Sequence, residues 1–294
     1  MTITATEIAS QPTIWRRALT DVDRARDLLA APGERVLVLG CGTSAFVAES
    51  LAWLREDAGL GETDAVYASE LRMWRDYDRV VALSRSGTTT EVLTALEAVP
   101  AGVRRIVVTG VADSPAASLA DDVLLLDFAD EKSVVQTRFP TTFLVLARAA
   151  FGQDMQAVID QAETVLSAPL DLPVPLSGVD HVVYLGTGWT YGLAQEAALK
   201  VREAAQAWSE SYPLLDYRHG PLAVAHDTSL VWMLGAADER LAEEIRVTGA
   251  AVRLGHLDPL VELVQAQRLA VELATLRGLD PDTPRHLTRS IILT

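Results

Sequence analysis

Val80-Val81-Ala82-Leu83-Ser84-Arg85-Ser86-Gly87-Thr88-Thr89-Thr90-Glu91 carries a strand, a loop and the start of a helix in one short run. The apolar Val80–Leu83 segment reads as a buried strand, and Glu91-Val92-Leu93-Thr94-Ala95-Leu96 continues in helical periodicity. Between them stand five hydroxyl side chains, one glycine and one arginine. A loop that ends a strand and opens a helix presents unpaired N–H groups at the positive end of the helix dipole. Hydroxyls added to that end make a cradle for a phosphate, and Gly87 lets the backbone turn tightly or approach the anion. The plainer alternative is a Ser/Thr-rich loop that only caps a helix, although one cap needs a single hydroxyl.

The pattern recurs along the chain. Val36–Leu39 reads as a strand that runs into Gly40-Cys41-Gly42-Thr43-Ser44 and then a helix from about Ala45 to Glu56. A dinucleotide fingerprint would need glycine where Ala45 stands, and no acidic ribose reader ends a second strand downstream, so NAD is not expected. Further strands are expected at 64–69, 79–83, 105–109 and 123–126. Helices are expected at 13–31, 89–99, 140–151 and 154–166, with a helical turn at 70–75. Residues 1–15 read as polar and partly mobile. Strands alternating with helices at this spacing predict an α/β fold with a doubly wound parallel sheet covered on both faces.

After a proline-bearing linker at 168–178 the pattern restarts. His181-Val182-Val183-Tyr184-Leu185-Gly186-Thr187-Gly188-Trp189-Thr190 mirrors Val36 to Ser44, and Gly40/Gly186, Gly42/Gly188 and Ser44/Thr190 share an offset of 146. Leu230–Leu234 then takes the place of Val80–Leu83, but Gly235-Ala236-Ala237-Asp238 replaces the hydroxyl loop. The expected organisation is a first domain at 13–167 that holds an anion, a second at 168–277 and a tail at 278–294.

The 294 residues fit about two domains. A hydrophobic share of 49% and a mean hydropathy of +0.19 support a large core. The net charge of −15 argues against nucleic acid or an anionic membrane as partner, so an anionic substrate needs a locally built positive site. Cys41 is the single cysteine, which excludes an internal disulfide and fits a reducing cytoplasm. It reads as a nucleophile or, more plainly, as a small residue packed in a turn. No leader with an apolar core and no apolar stretch of ~18 residues is seen. No His, Asp, Glu and Cys set has metal-ligand spacing, so neither metal nor cofactor is expected.

The second half carries the reactive groups. A helix expected at 190–207 bears Gln195, Glu196, Lys200 and Glu203; Lys200 and Glu203 share a face, which by itself suggests a solvated ion pair. His219, followed by Gly220-Pro221, sits in a tight turn. It is either a proton carrier, with an ordinary pKa near ~6.5, or a turn histidine bonded to backbone.

These motifs together resemble the sugar isomerase (SIS) domain family, in particular its two-domain members: the isomerase half of glucosamine-6-phosphate synthase and stand-alone amino-sugar-phosphate isomerases and deaminases. The resemblance rests on Gly40-Cys41-Gly42-Thr43-Ser44, Ser84-Arg85-Ser86-Gly87-Thr88-Thr89, Ala198-Leu199-Lys200-Val201-Arg202-Glu203, Arg218-His219-Gly220-Pro221 and Asp282-Thr283-Pro284-Arg285. It implies two tandem SIS domains of flavodoxin-like, three-layer form. It implies phosphate binding by Thr43, Ser44, Ser84, Ser86 and Thr89, and sugar binding by Gly42, Val134, Val135, Gln136 and Arg289. Glu203 would be the base that moves a proton between C1 and C2, Lys200 would polarise the developing oxyanion, and His219 would open the ring, reaching in from the partner of a homodimer. Arg85 stands where the synthases have Gln, leaving a phosphate contact or a solvent-facing side chain open. Arg289 stands where they have the lysine that forms a Schiff base, and a guanidinium cannot form one. No glutaminase domain precedes the motifs, so a complete synthase is not expected. The resemblance implies a phosphosugar isomerase or isomerising deaminase; a deglycase of a phosphorylated fructose–amine adduct and a non-catalytic sugar-phosphate sensor are the competing expectations.

Overall fold

Val36–Gly40 is apolar in every position that carries a side chain, and it forms strand β1, buried along its length. In a parallel sheet with both faces covered, such uninterrupted runs are what a central strand requires. The computed structural model describes residues 2–293, so Thr294, the last residue of the expected tail, lies outside them.

In chain order the elements are α1 (Ile3–Ala9), α2 (Gln11–Ala18), α3 (Val22–Leu29), β1, α4 (Thr43–Asp57), β2 (Thr63–Tyr67), β3 (Arg79–Leu83), α5 (Thr90–Glu97), β4 (Arg104–Thr109), α6 (Pro115–Ser118), β5 (Asp122–Leu125), α7 (Arg138–Ala150) and α8 (Gln156–Ser167). There follow β6 (His181–Gly186), α9 (Trp189–Ala205), β7 (Trp208–Pro213), β8 (Ser229–Met233), α10 (Glu239–Arg246), β9 (Ala251–Leu254) and α11 (Pro259–Leu276).

The described chain divides into two compact units. One holds Ser10–Lys132, Arg138–Gln156 and the residues from Thr288 onward. Its sheet has the order β2-β1-β3-β4-β5, all neighbours parallel. Strand alternation sends Leu37, Leu39, Val80 and Ala82 to one face, where they pack with Val92, Ala95 and Leu96 of α5. On the other side α4 packs on β1 and on α7, which also receives α2 and α3.

The second unit comprises the N-terminus through Ala9, Ser133–Thr137 and Ala157–Leu287. Its parallel sheet has the order β7-β6-β8-β9. Val183, Leu185, Val231 and Met233 pack on Leu241, Ala242 and Ile245 of α10, while α9 lies on β6 and β7 and against α11. Both sheets place the first strand of their unit between the second and third, and the two glycines opening α4 and α9 share one backbone conformation: Gly42 at φ 53°, ψ −128° and Gly188 at φ 56°, ψ −131°.

Several expectations are corrected. Residues 1–15 contain two helices, and Thr4, Ile8, Gln11 and Trp15 are buried. The single helix expected at 13–31 is α2 and α3 joined by a 3₁₀ turn at Leu19–Asp21. The helical turn expected at 70–75 is a 3₁₀ turn at Ala68–Glu70 followed by irregular chain. Strand β7 adds to the expected elements: Trp208-Ser209-Glu210-Ser211-Tyr212-Pro213 is an edge strand whose polar composition gives no strand pattern.

Tyr184, on β6, is wholly buried, and its hydroxyl has no hydrogen-bond partner among the described residues; burial pushes its ionisation far up. An unpaired buried hydroxyl opposes folding, so Tyr184→Phe is expected to leave stability unchanged or raise it by up to about 1 kcal/mol, read from urea unfolding. A clear loss of stability would reveal a partner for the hydroxyl.

Candidate active site

In the five-stranded sheet the strand order reverses between β1 and β3, which run side by side with Leu39 opposite Ala82. Open parallel sheets bind ligands at such a switch point, beyond the carboxyl ends of the strands. Both hydroxyl loops leave from there: Cys41–Ser44 from β1 and Ser84–Thr89 from β3.

The second loop is tightly folded. The Gly87 amide lies 3.1 Å from both the carbonyl and the hydroxyl of Ser84. Ser86 Oγ accepts from the Thr88 amide at 3.3 Å and lies 2.9 Å from Thr88 Oγ1. Ser84 Oγ and Thr89 Oγ1 stand 3.5 Å apart. Gly87 has φ +65°, and a Cβ there would lie 2.1 Å from Ser114 Oγ, so both conformation and space demand glycine. Thr89 is the N-cap of α5, yet its side chain makes no capping bond. At the matching place in the four-stranded sheet, Asp238 caps α10 by accepting from the Leu241 amide. A carboxylate of the protein thus caps α10, whereas α5 has a threonine at its N-cap and Glu91 in its first turn. At the first loop, Thr43 and Ser44 are buried in the first turn of α4, behind Gly42.

Arg85 does not face solvent. It is 2% exposed, and its Nη2 donates to the Arg289 carbonyl at 2.7 Å. Other tail residues reach the same loop: Ser290 Oγ lies 3.0 Å from Thr88 Oγ1, and the Thr90 amide donates to the Ile291 carbonyl at 3.3 Å. The Arg289 guanidinium, expected to bind sugar, pairs with both oxygens of Asp130 at 2.6 and 2.5 Å.

In the other unit, Lys200 lies buried on α9 between two carboxylates. Its Nζ is 2.5 Å from Glu203 Oε2 and 3.3 Å from Glu196 Oε1. The side chains of Lys200 and Glu196 are 1% and 0% exposed, and that of Glu203 is 19% exposed. The solvated ion pair suggested by the spacing is therefore a buried triad, and Glu203 is its solvent-reaching member. Glu196, four residues before Lys200, belongs to the site; its spacing on the helix is the one sequence signal that marks it.

His219 ends the 3₁₀ turn Asp216–Arg218, its amide donating to the Asp216 carbonyl at 2.8 Å. Its ring is exposed and has no hydrogen bond among the described residues. Gly220 follows at φ 132°. Val134, Val135 and Gln136 lie in the segment Ser133–Thr137 of this same unit; Val135 is buried, and Gln136 Oε1 is buried without a partner among the described residues.

Cys41 packs in its turn, and burial raises its thiol pKa, with Glu91 adding to the effect, so it is not an activated nucleophile. Among the described residues no group of three or more His, Cys, Asp and Glu is placed to hold a metal ion, and no helix is long and apolar enough to cross a membrane.

Residues 29–151 match the SIS domain. The chain is 26% identical over 332 residues to glutamine–fructose-6-phosphate aminotransferase (isomerizing) of Methanothermobacter thermautotrophicus, covering 97% of this chain and 56% of that protein. It is 31% identical over 354 residues to the enzyme of the same name from Symbiobacterium thermophilum, covering 97% and 58%. The chain thus spans little more than half the length of the curated relatives it matches. Among solved structures, glucosamine-6-phosphate deaminase from Thermotoga maritima aligns with a TM-score of 0.85 at 26% identity, covering 99% of this chain and 100% of that one. Tagatose-6-phosphate ketose/aldose isomerase from Escherichia coli shares the fold, with a TM-score of 0.80 at 23% identity over 100% and 96% of the two chains. The domain match stops at residue 151, so it gives no support to the second SIS domain expected from the offset of 146.

Proposed function

We propose that this protein is a phosphosugar isomerase acting on a hexose or hexosamine 6-phosphate, with ammonia as co-product when the sugar carries a 2-amino group. The observation that carries the reading is the Glu196–Lys200–Glu203 triad, in which a buried ammonium holds one solvent-reaching carboxylate at 2.5 Å. A carboxylate fixed in this way is suited to take a proton from carbon and return it to the neighbouring carbon. The similarity to a glucosamine-6-phosphate deaminase and to isomerizing aminotransferases points to the same class of substrate.

In this reading the hydroxyls of Thr43, Ser44, Ser84, Ser86 and Thr89 anchor the phosphate. His219 carries the ring-opening proton. Glu203 removes the C2 proton of the open-chain aldose and delivers it to C1, while the hydroxyl proton passes from O2 to O1 through the enediol. Lys200 steadies the oxyanion that develops on the way. With a 2-amino sugar the same shift leaves a C2 ketimine, which water hydrolyses to the ketose and ammonia. We also propose that the four-stranded unit is a diverged copy of the first and that the protein is a homodimer in which His219 serves its partner.

A panel of hexose 6-phosphates tests the reading. Aldose–ketose interconversion without ammonia supports a simple isomerase, and ammonia from glucosamine 6-phosphate supports a deaminase. Cleavage only of a phosphorylated fructose–amine adduct would replace the proposal with a deglycase, and binding without turnover of any member would replace it with a sensor.

A further inference from the structure

Thr4 is fully buried on α1, although it lies almost at the chain's start. Its hydroxyl stands 2.7 Å from Asp282 Oδ1 and 2.8 Å from Ser133 Oγ. The Asp282 carboxylate also accepts from the amides of Ile3 and Thr4, each at 2.7 Å. Burial works against its charge, but these donors outweigh it and hold the carboxyl below its usual range. An ionised carboxylate only accepts, so Thr4 donates its single hydroxyl proton to Asp282. Thr4 Oγ1 must then accept from Ser133, which fixes the direction of the chain: Ser133 to Thr4 to Asp282.

Ser133 is held a second time, its amide donating to Glu7 Oε2 at 3.3 Å. At the far end of the segment the Thr137 carbonyl accepts from Gln267 Nε2, on α11, at 3.1 Å. The five residues Ser133–Thr137 are thus tied at both ends to helices remote in sequence. Between the ties lies Gln136, whose buried Oε1 has no partner among the described residues. A buried amide oxygen without a donor is a position where a ligand O–H or N–H fits.

We propose that Thr4 and Glu7, braced by Asp282, are positioning residues for Ser133–Thr137 and set Gln136 to accept a hydrogen bond from a hydroxyl or amino group of the sugar. The proposal rests on the phosphosugar reading and assigns to α1 a share in telling one sugar from another, separate from the phosphate anchor.

Thr4→Val keeps the volume and removes the hydroxyl contacts with Asp282, Ser133 and the Pro281 carbonyl; Thr4→Ser keeps them. With the panel member that is turned over, Thr4→Val is expected to raise KM about tenfold with kcat within about twofold, the worth of roughly one polar contact. Inhibition by inorganic phosphate stays unchanged, and Thr4→Ser behaves as wild type. Hydrogen exchange at the Ser133–Thr137 amides is expected to speed up in Thr4→Val and in Ser133→Ala but not in Thr4→Ser. Unchanged exchange in Thr4→Val overturns the proposal. So does a parallel weakening of sugar-phosphate and inorganic phosphate, which would mark general loosening. If wild-type protein binds a hexose 6-phosphate without turnover, the isomerase reading falls, and calorimetric affinity replaces KM. A tenfold loss in Thr4→Val then still supports the positioning role, and an equal affinity removes it. Failure to bind any hexose 6-phosphate removes both.

Discussion

Glu203→Gln is expected to abolish turnover while leaving the substrate bound. The change swaps one carboxylate oxygen for an amide group of the same shape. The remaining amide oxygen can still accept from Lys200 Nζ, now 2.5 Å from Glu203 Oε2, and Lys200 keeps Glu196 at 3.3 Å. Packing around α9 is therefore retained, and a side chain 19% exposed does not leave an isolated buried charge behind. What is lost is the group that can take a proton from carbon. Removing a positioned acid–base group lowers kcat by about a hundred- to ten-thousandfold. Sugar-phosphate affinity, assigned to hydroxyls on other elements, should stay within about threefold, since that is less than 1 kcal/mol of binding energy. Exchange of the substrate C2 hydrogen with solvent should vanish together with kcat. If turnover survives, another residue is the base and the triad is structural.

Lys200→Met should produce the largest loss of stability of any single change in this region. Glu196 is 0% exposed, and the Lys200 ammonium is its cation at 3.3 Å on the same helix. Methionine has similar volume and leaves the packing, but the Glu196 carboxylate then stays buried without that charge beside it. Breaking a buried pair from one side costs about 3–5 kcal/mol, whereas neutralising both partners costs far less. Lys200→Met is thus expected to lose that amount in urea unfolding, and Glu196→Gln combined with Lys200→Met to regain more than half of it. A single mutant within about 1 kcal/mol of wild type would contradict a tight buried triad and favour a hydrated one.

The sequence signal was strong where periodicity and apolar runs agree. Val36–Gly40 and Arg79–Leu83 are apolar over most of their length and cannot be solvent-facing, so parallel strands and the helices after them followed directly. The loops were legible because glycine and hydroxyl side chains have a local reason to gather at a strand–helix junction. Edge strand β7 was hidden, since its Ser209, Glu210 and Ser211 follow no apolar rule and are ordered by pairing with β6. Glu196 and Lys200 were visible as a helical pair, but spacing carries no information on burial, and burial turns a surface ion pair into a triad.

What the sequence determined by itself was the α/β class and the two hydroxyl junctions; Glu203 and His219 were singled out by the resemblance to a known family. The class and the junctions rest on local rules of period and turn. Only the tertiary structure decided that Arg85 is buried under the tail backbone, that Arg289 is engaged by Asp130, and that Asp282 grips α1 and, through Thr4, Ser133. Those partners are separated by between 129 and 278 residues. A hydrogen bond requires its two ends at about 3 Å, and no local pattern in a chain records which distant segment folding will bring there.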